Sequence, residues 1–302
     1  MTSLLILLAS AVTAEDGLAW QETPHSLALV RGAQVVWQFN YNPEDGKPYF
    51  HPVTIGGGAP VTDLRPADHY WHRAIWFSWK SINGLVYWEE NPQTGKSPGE
   101  TEMVAVKATP RGDHSAQFEL AIHYHPPGRP AVLTERRIVT VGAPTPAGTY
   151  SIDWLSVFTA GDADVLLDRT PIAGEPNGVS WGGYAGLSLR LTPELRRWQF
   201  SDSDGPVNEV TKQARWIAFS GPTRAGETAA IIVLDHPDSF RHPTPWYLIQ
   251  GMPYFSPAVL YRSPHTLRAQ ESLTLKYRMI FQAAAVDREA VDREWEAFAA
   301  GR

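Results

Sequence analysis

An all-β fold, an antiparallel sandwich carrying one C-terminal amphipathic helix, is the class this sequence predicts. Three observations carry that expectation. From Ser26 onward, short apolar runs are cut every few residues by Gly, Pro, Asn or Asp, the punctuation of strands and turns. Where a run is long enough to judge, it alternates: Phe118, Leu120, Ile122 and Tyr124 share one face, and Gln117, Glu119, His123 and His125 the other, the period of a half-buried strand. Only the tail is spaced like a helix, with Val291, Trp295 and Phe298 at i, i+4 and i+7 among Asp, Arg and Glu. Helix does not alternate with strand, which excludes α/β architectures. No fixed-period repeat is present, which argues against a propeller.

Taken in order, Ser26–Val30 and Gln34–Asn40 flank Arg31-Gly32-Ala33 as a hairpin, and residues 48–55 form the next strand, carrying His51. Gly56-Gly57-Gly58 has no following Lys-Ser/Thr and no helix, so it reads as a loop and not a phosphate cradle. Residues 74–80 and 85–89 are strands around Asn83-Gly84, a strong hairpin turn. Strands follow at 103–109, 115–125, 131–141, 149–160 and 165–169, with His123 and His125 facing solvent. Residues 171–185 form a long Gly/Pro loop holding Trp181 and Tyr184, of the kind that carries function on a rigid scaffold. Strands at 186–191, 198–201, 214–220, 229–235, 247–250, 258–262 and 272–282 complete the series. Between them, residues 236–246 form a loop with His242 and Trp246. No composition break divides the chain, so residues 18–302 read as one domain.

The first residues carry an apolar run from Leu4 to Ala11 followed by Val12-Thr13-Ala14. Residues 1–14 read as a secretory signal cleaved before Glu15, although a basic start is missing; a buried N-terminal strand is the other structure such a run can form. No later stretch reaches the ~18 apolar residues of a membrane span. A periplasmic or secreted protein with no membrane span after signal cleavage is therefore expected.

Of 302 residues, 43% are apolar and only 19% charged, with a net charge of −6. There is no basic run, which argues against nucleic acid as a partner. Cysteine is absent, so disulfides, thiolate metal sites and a Cys nucleophile are excluded. Twelve Trp residues suit a β-rich core, a sugar-stacking surface, or both.

The chemistry concentrates in Asp68-His69-Tyr70-Trp71-His72-Arg73-Ala74-Ile75-Trp76-Phe77-Ser78-Trp79. Four ionisable groups in six residues are costly to bury without purpose. Gly178-Val179-Ser180-Trp181-Gly182 misses the spacing and context of a serine-hydrolase elbow. His51, His69 and His72 could ligate a metal, but His-x-x-His outside a helix does not align two rings. Acid/base work on a polyol needs an imidazole, a nearby carboxylate and flat rings to stack the sugar. His51, His69, His72 and Asp68 are the candidate acid/base groups, with Arg73 as an oxygen clamp. Asp63, Glu89 and His242 would add polar contacts, and Trp71, Trp76, Trp181, Tyr184 and Trp246 a stacking surface. Trp79 and Trp88 are assigned to the core.

Residues 46–52 (GKPYFHP), 65–77 (RPADHYWHRAIWF) and 181–187 (WGGYAGL) resemble the bacterial PmoA-like family, labelled "methane oxygenase PmoA". Members carry His-x-His-His-Arg-Gly-Leu-Trp-Phe, where this chain has Trp71 for the middle His and Ala74-Ile75 for Gly-Leu. The label implies a methane monooxygenase subunit, a multi-spanning membrane protein that this chain does not match. The β pattern and early His/Arg motif are also similar, at fold level, to galactose-mutarotase-like supersandwiches, which bind sugars on a concave sheet. These resemblances imply a carbohydrate-active protein, an epimerase, lyase or hydrolase, with a small carbohydrate as partner and no cofactor. A non-catalytic carbohydrate-binding module and a metal-dependent oxygenase are the alternatives.

Overall fold

A computed structural model describes residues 17–207 and 211–301; the signal-like segment lies outside the described residues. Two nine-stranded antiparallel sheets pack face to face. The first runs Leu18–Thr23, Ser26–Arg31, Gln34–Asn40, Tyr49–Val53, Ile75–Ser78, Gly186–Arg190, Tyr254–Pro257, Pro245–Ile249, Thr211–Gln213. The second runs Gly205–Val207, Gln199–Asp202, Trp216–Pro222, Thr228–Asp235, Ser272–Gln282, Tyr150–Ala160, Leu133–Val141, Ala116–His125, Glu100–Pro110. His265–Leu267, Val165–Asp168, Ser81–Ile82 and Leu85–Val86 make a small third sheet. The expected sandwich class is the one observed.

Alternation decides what lies between the sheets. In Ala116–His125 every second residue is buried, from Ala116 through Tyr124. Rings from the two sheets meet there: Phe39 lies 4.6 Å from Phe118, Phe77 5.0 Å from Phe158, and Phe200 5.5 Å from Phe255. Trp79 joins this core, 1% exposed. One ion pair is sealed in it. Arg137 donates to Glu135 at 2.7 and 2.9 Å, Ser156 and Tyr124 donate to the same carboxylate at 2.5 Å, and the guanidinium lies 4.6 Å from the Trp154 ring. Those partners replace the water such charges lose on burial.

The helix Arg288–Ala299 starts at Asp287, whose side chain accepts from the Ala290 N–H, an ordinary N-cap. Its Val291 and Phe298 bury against Trp216, Ile232, Leu234 and Ile280 on the outer face of the second sheet. No helix among the described residues is long and apolar enough to cross a membrane.

Two expected elements differ. The Asn83-Gly84 turn joins Ser81–Ile82 to Leu85–Val86, a two-residue-per-arm hairpin in the small sheet, and does not pair residues 74–80 with 85–89. Ile75–Ser78 is instead held between Tyr49–Val53 and Gly186–Arg190. Residues 258–262 are a turn and not a strand, the strand being Tyr254–Pro257. In both places a short apolar run fitted either placement, and long-range pairing chose.

Candidate functional site

The middle of the first sheet is buried on both faces. Phe50, Ile75, Phe77, Leu187, Leu189 and Phe255 point into the core. Their alternates point outward: Tyr49 opposite Trp76, Trp76 opposite Ser188, and Arg190 opposite Tyr254. His51, two residues on from Tyr49, shares the outward face. That face carries its own aromatic cluster, with Trp76, Trp88, Tyr247 and Tyr254 buried, and Tyr49, Trp71, Tyr184, Met252 and Tyr261 partly exposed against it.

Residues 63–73 fold over this face as an irregular loop. The Asp63 N–H donates to the Arg190 carbonyl at 3.0 Å, the Arg65 N–H to that of His72 at 2.9 Å, and the His72 N–H to that of His69 at 2.8 Å. The last of these closes a turn that sets the His69 and His72 rings 4.7 Å apart and nearly parallel. Ala74, which ends the loop, has φ +61°, a conformation uncommon for a residue with a Cβ.

At one end of the aromatic face stands a charged group. Arg190, 3% exposed, donates through Nη2 to both oxygens of Asp68, at 2.8 and 2.9 Å, and its Nε lies 4.0 Å from Asp63 Oδ2. Its Nε and Nη1 are buried without a hydrogen-bond partner. His69 Nδ1 lies 3.1 Å from Asp68 Oδ2, and about a third of the His69 side chain is exposed. The two carboxyls are driven in opposite directions. Burial pushes Asp63 up, against the lowering by Arg190 and with help from Asp68. Burial also acts upward on Asp68, but hydrogen bonds from Arg190 and His69 hold it below the usual carboxylate value.

Of the residues expected from sequence, Asp63, Asp68, His69 and Trp71 gather here. His51 lies on the same face, its Nδ1 3.0 Å from Thr62 Oγ1, and burial lowers its pKa. Trp181, Tyr184 and Glu89 gather at the other end of the aromatic cluster. The Tyr184 hydroxyl donates to Glu89 at 3.0 Å, Lys80 pairs with the same carboxylate, and Trp181 is 56% exposed.

Others are placed differently. His72 is 3% exposed, packed among His69, Trp76, Tyr254 and Trp88. Burial pushes its imidazole down to about 2, with the charges of His69 and Arg190 acting the same way, so it stays neutral. Trp76 is likewise buried and floors the site without facing a ligand. Arg73, 1% exposed, gives its Nε to Glu90 at 2.9 Å and places Nη1 3.6 Å from Asp45; Lys47 and Arg65 share Glu90 at 3.3 and 3.2 Å. That cluster pins the loop to the Val86–Glu90 segment, beside a cleft of about 270 Å³ lined by Lys47, Glu90 and Glu100. The guanidinium that faces Asp63 and Asp68 is therefore Arg190, not Arg73. Trp246 is fully buried in the sandwich core, donating to the Ala214 carbonyl, because strand parity sends its neighbour Tyr247 outward instead. His242 sits at the C-terminal helix, 2.9 Å from Asp235 and stacked on Trp295. The three imidazoles considered for a metal do not converge, and among the described residues no three His, Asp or Glu side chains gather at metal-ligand spacing.

Sequence reading missed Arg190 and Tyr254. The signal for Arg190 was present: Leu187, Leu189 and Leu191 alternate with Ser188 and Arg190, a charge placed mid-strand on a face that must be covered.

Fold and site together define an antiparallel β-sandwich protein with an aromatic, carboxylate-bearing face outside one of its sheets. By sequence the chain belongs to a family of unknown function (DUF6807), whose model matches residues 26–296. The PmoA label carried by the resemblance has no support in this match. No curated protein matches the sequence. Among solved structures, the galactosidase domain of alpha-galactosidase-sucrose kinase, AgaSK, is similar at 8% identity with a TM-score of 0.39, over 89% of this chain and 41% of that one. The chain thus spans well under half the length of the solved protein it matches.

Proposed function

We propose that this protein binds a carbohydrate on the outer face of the first sheet and performs acid/base chemistry on it. The observation that carries the reading is the Asp63–Arg190–Asp68–His69 group at the end of an aromatic floor. Sugars present hydroxyls at their edges and C–H groups on their faces, so they are held by carboxylate and guanidinium groups beside flat rings. Asp68 lies 3.1 Å from His69 Nδ1, His69 is the group that takes a proton, and Asp63, across Arg190, is the group that returns one. Arg190 holds the reacting oxygen. One proton is taken and one returned, as an epimerase, lyase or hydrolase requires, and no cofactor enters the scheme. His72 and Trp76 act as the floor beneath. The apolar run at residues 4–11 supports an exported location for this activity.

A thermal-shift and calorimetry panel of hexoses, pentoses and keto-sugars tests it, since a ligand raises the melting temperature by mass action. A binding sugar is expected, with Arg190→Lys weakening it about tenfold because the planar fork is lost. Asp63→Asn should keep binding and cut turnover roughly 100-fold or more. Binding with no turnover in the parent protein would reduce the reading to a non-catalytic module. No binding to any sugar would end it.

A further inference from the structure

The two polar groups on this face are joined by a continuous run of rings. Successive centroids lie 4.7 Å apart from His69 to His72, 5.1 Å from His72 to Trp76, 5.2 Å from Trp76 to Trp88, 5.4 Å from Trp88 to Tyr184 and 6.3 Å from Tyr184 to Trp181. Each step is comparable with the length of one sugar ring. Within the run His72, Trp76 and Trp88 are buried and Tyr184 is partly exposed, and partly exposed Trp71 packs beside them.

The two ends are alike in chemistry. At the first, the nearly buried Arg190 keeps two nitrogens without a partner between Asp63 and Asp68. At the second, Glu89 is shared by Lys80 and the Tyr184 hydroxyl, beside an exposed indole. Trp181 is the most exposed large apolar side chain among the described residues, and a flat indole ring is a stacking surface for a sugar. This one is held in place, because the Tyr247 hydroxyl donates to the Trp181 carbonyl at 2.9 Å. Gly182 and Gly183 beside it are so close to the Pro171 carbonyl and the Tyr261 ring that a Cβ would meet them at 2.1 and 2.2 Å. The indole is therefore presented by a tightly seated loop. Every cation at the two ends already faces a carboxylate, so neither end favours an anionic sugar.

We propose that the face holds a neutral oligosaccharide of at least two units, the second subsite being formed by Trp181, Tyr184 and Glu89. This rests on the carbohydrate reading above and adds ligand length and charge to it.

Calorimetry with the maltose and cellobiose series, from one to five units, tests the proposal on the full chain. Affinity is expected to rise at least tenfold between one unit and three in one of the series. Trp181→Ala and Glu89→Gln, both at partly exposed side chains, should each remove that increment and leave the affinity for the single sugar unchanged. Affinity that is flat with length, with the single sugar still bound, would overturn the second subsite and leave the first reading standing. Equal losses for short and long sugars in Trp181→Ala would also overturn it, as would tighter binding of oligogalacturonates than of the neutral series. Failure of every sugar to bind would remove both readings.

Discussion

His72 shows how far a residue's environment can move it from its expected part. By composition it is an imidazole beside an acid, a guanidinium and a second imidazole. By position it is an apolar ring in a stack, kept neutral because burial penalises its charged form. The consequence for stability has a definite sign. The unfolded chain takes up a proton on this residue below pH 6.5, and the folded chain does not until about pH 2. The contribution is therefore complete above pH 6.5 and is lost as the pH falls below it. Replacing His72 by Phe, which keeps the stacking, should shrink the stability lost between pH 7 and pH 5 by about 2 kcal/mol. Urea midpoints at the two pH values measure this, and an unchanged difference would mean that the ring is solvated. Asp63, Asp68 and His69 were legible as candidate site residues because titratable groups in an irregular loop have few structural duties. Arg73 and Arg190 were not separable by sequence. Both are buried arginines with unpartnered nitrogens, and only the partners distinguish them: Glu90 and Asp45 face the first, Asp63 and Asp68 the second.

Among the elements, strands read well and loops read partly. Alternation placed Ala116–His125, Leu133–Val141, Tyr150–Ala160 and Ser272–Gln282 because each buries one face only, so period and burial coincide. It could not orient Pro245–Ile249, buried almost throughout, and so Trp246 was expected where Tyr247 stands. The 171–185 loop was expected to be functional from its length. The structure adds why it is firm: the Gly183 N–H reaches the Thr170 carbonyl, the Gly182 N–H reaches that of Val179, and no side chain fits at Gly182. Gly182→Ala should push the loop off Pro171, cost about 1–3 kcal/mol and weaken any ligand held by Trp181. Gly112→Ala, in open space, is the matched control. Equal melting temperatures for the two variants would show that the loop is not seated as described.

At the scale of the molecule, two sheets present four faces. Two make the shared core. The outer face of the second sheet is covered at Trp216–Pro222, Thr228–Asp235 and Ser272–Gln282 by the C-terminal helix, with Trp295 donating to the Asp235 carbonyl at 2.8 Å and stacking on His242. Trp295→Ala should cost about 2–4 kcal/mol in a denaturant titration and leave sugar binding untouched; a loss of binding would place His242 back in the site. The fourth face carries aromatic and charged side chains under loops alone, and there the functional proposals are made. What the sequence determined by itself was the class of fold, the single terminal helix and the loop where titratable groups collect, because these follow from local periodicity and composition. Only the tertiary structure decided which arginine meets Asp63 and Asp68, which indole meets solvent and which histidine is sealed. Those are properties of pairs brought together from distant strands, and no local pattern encodes them.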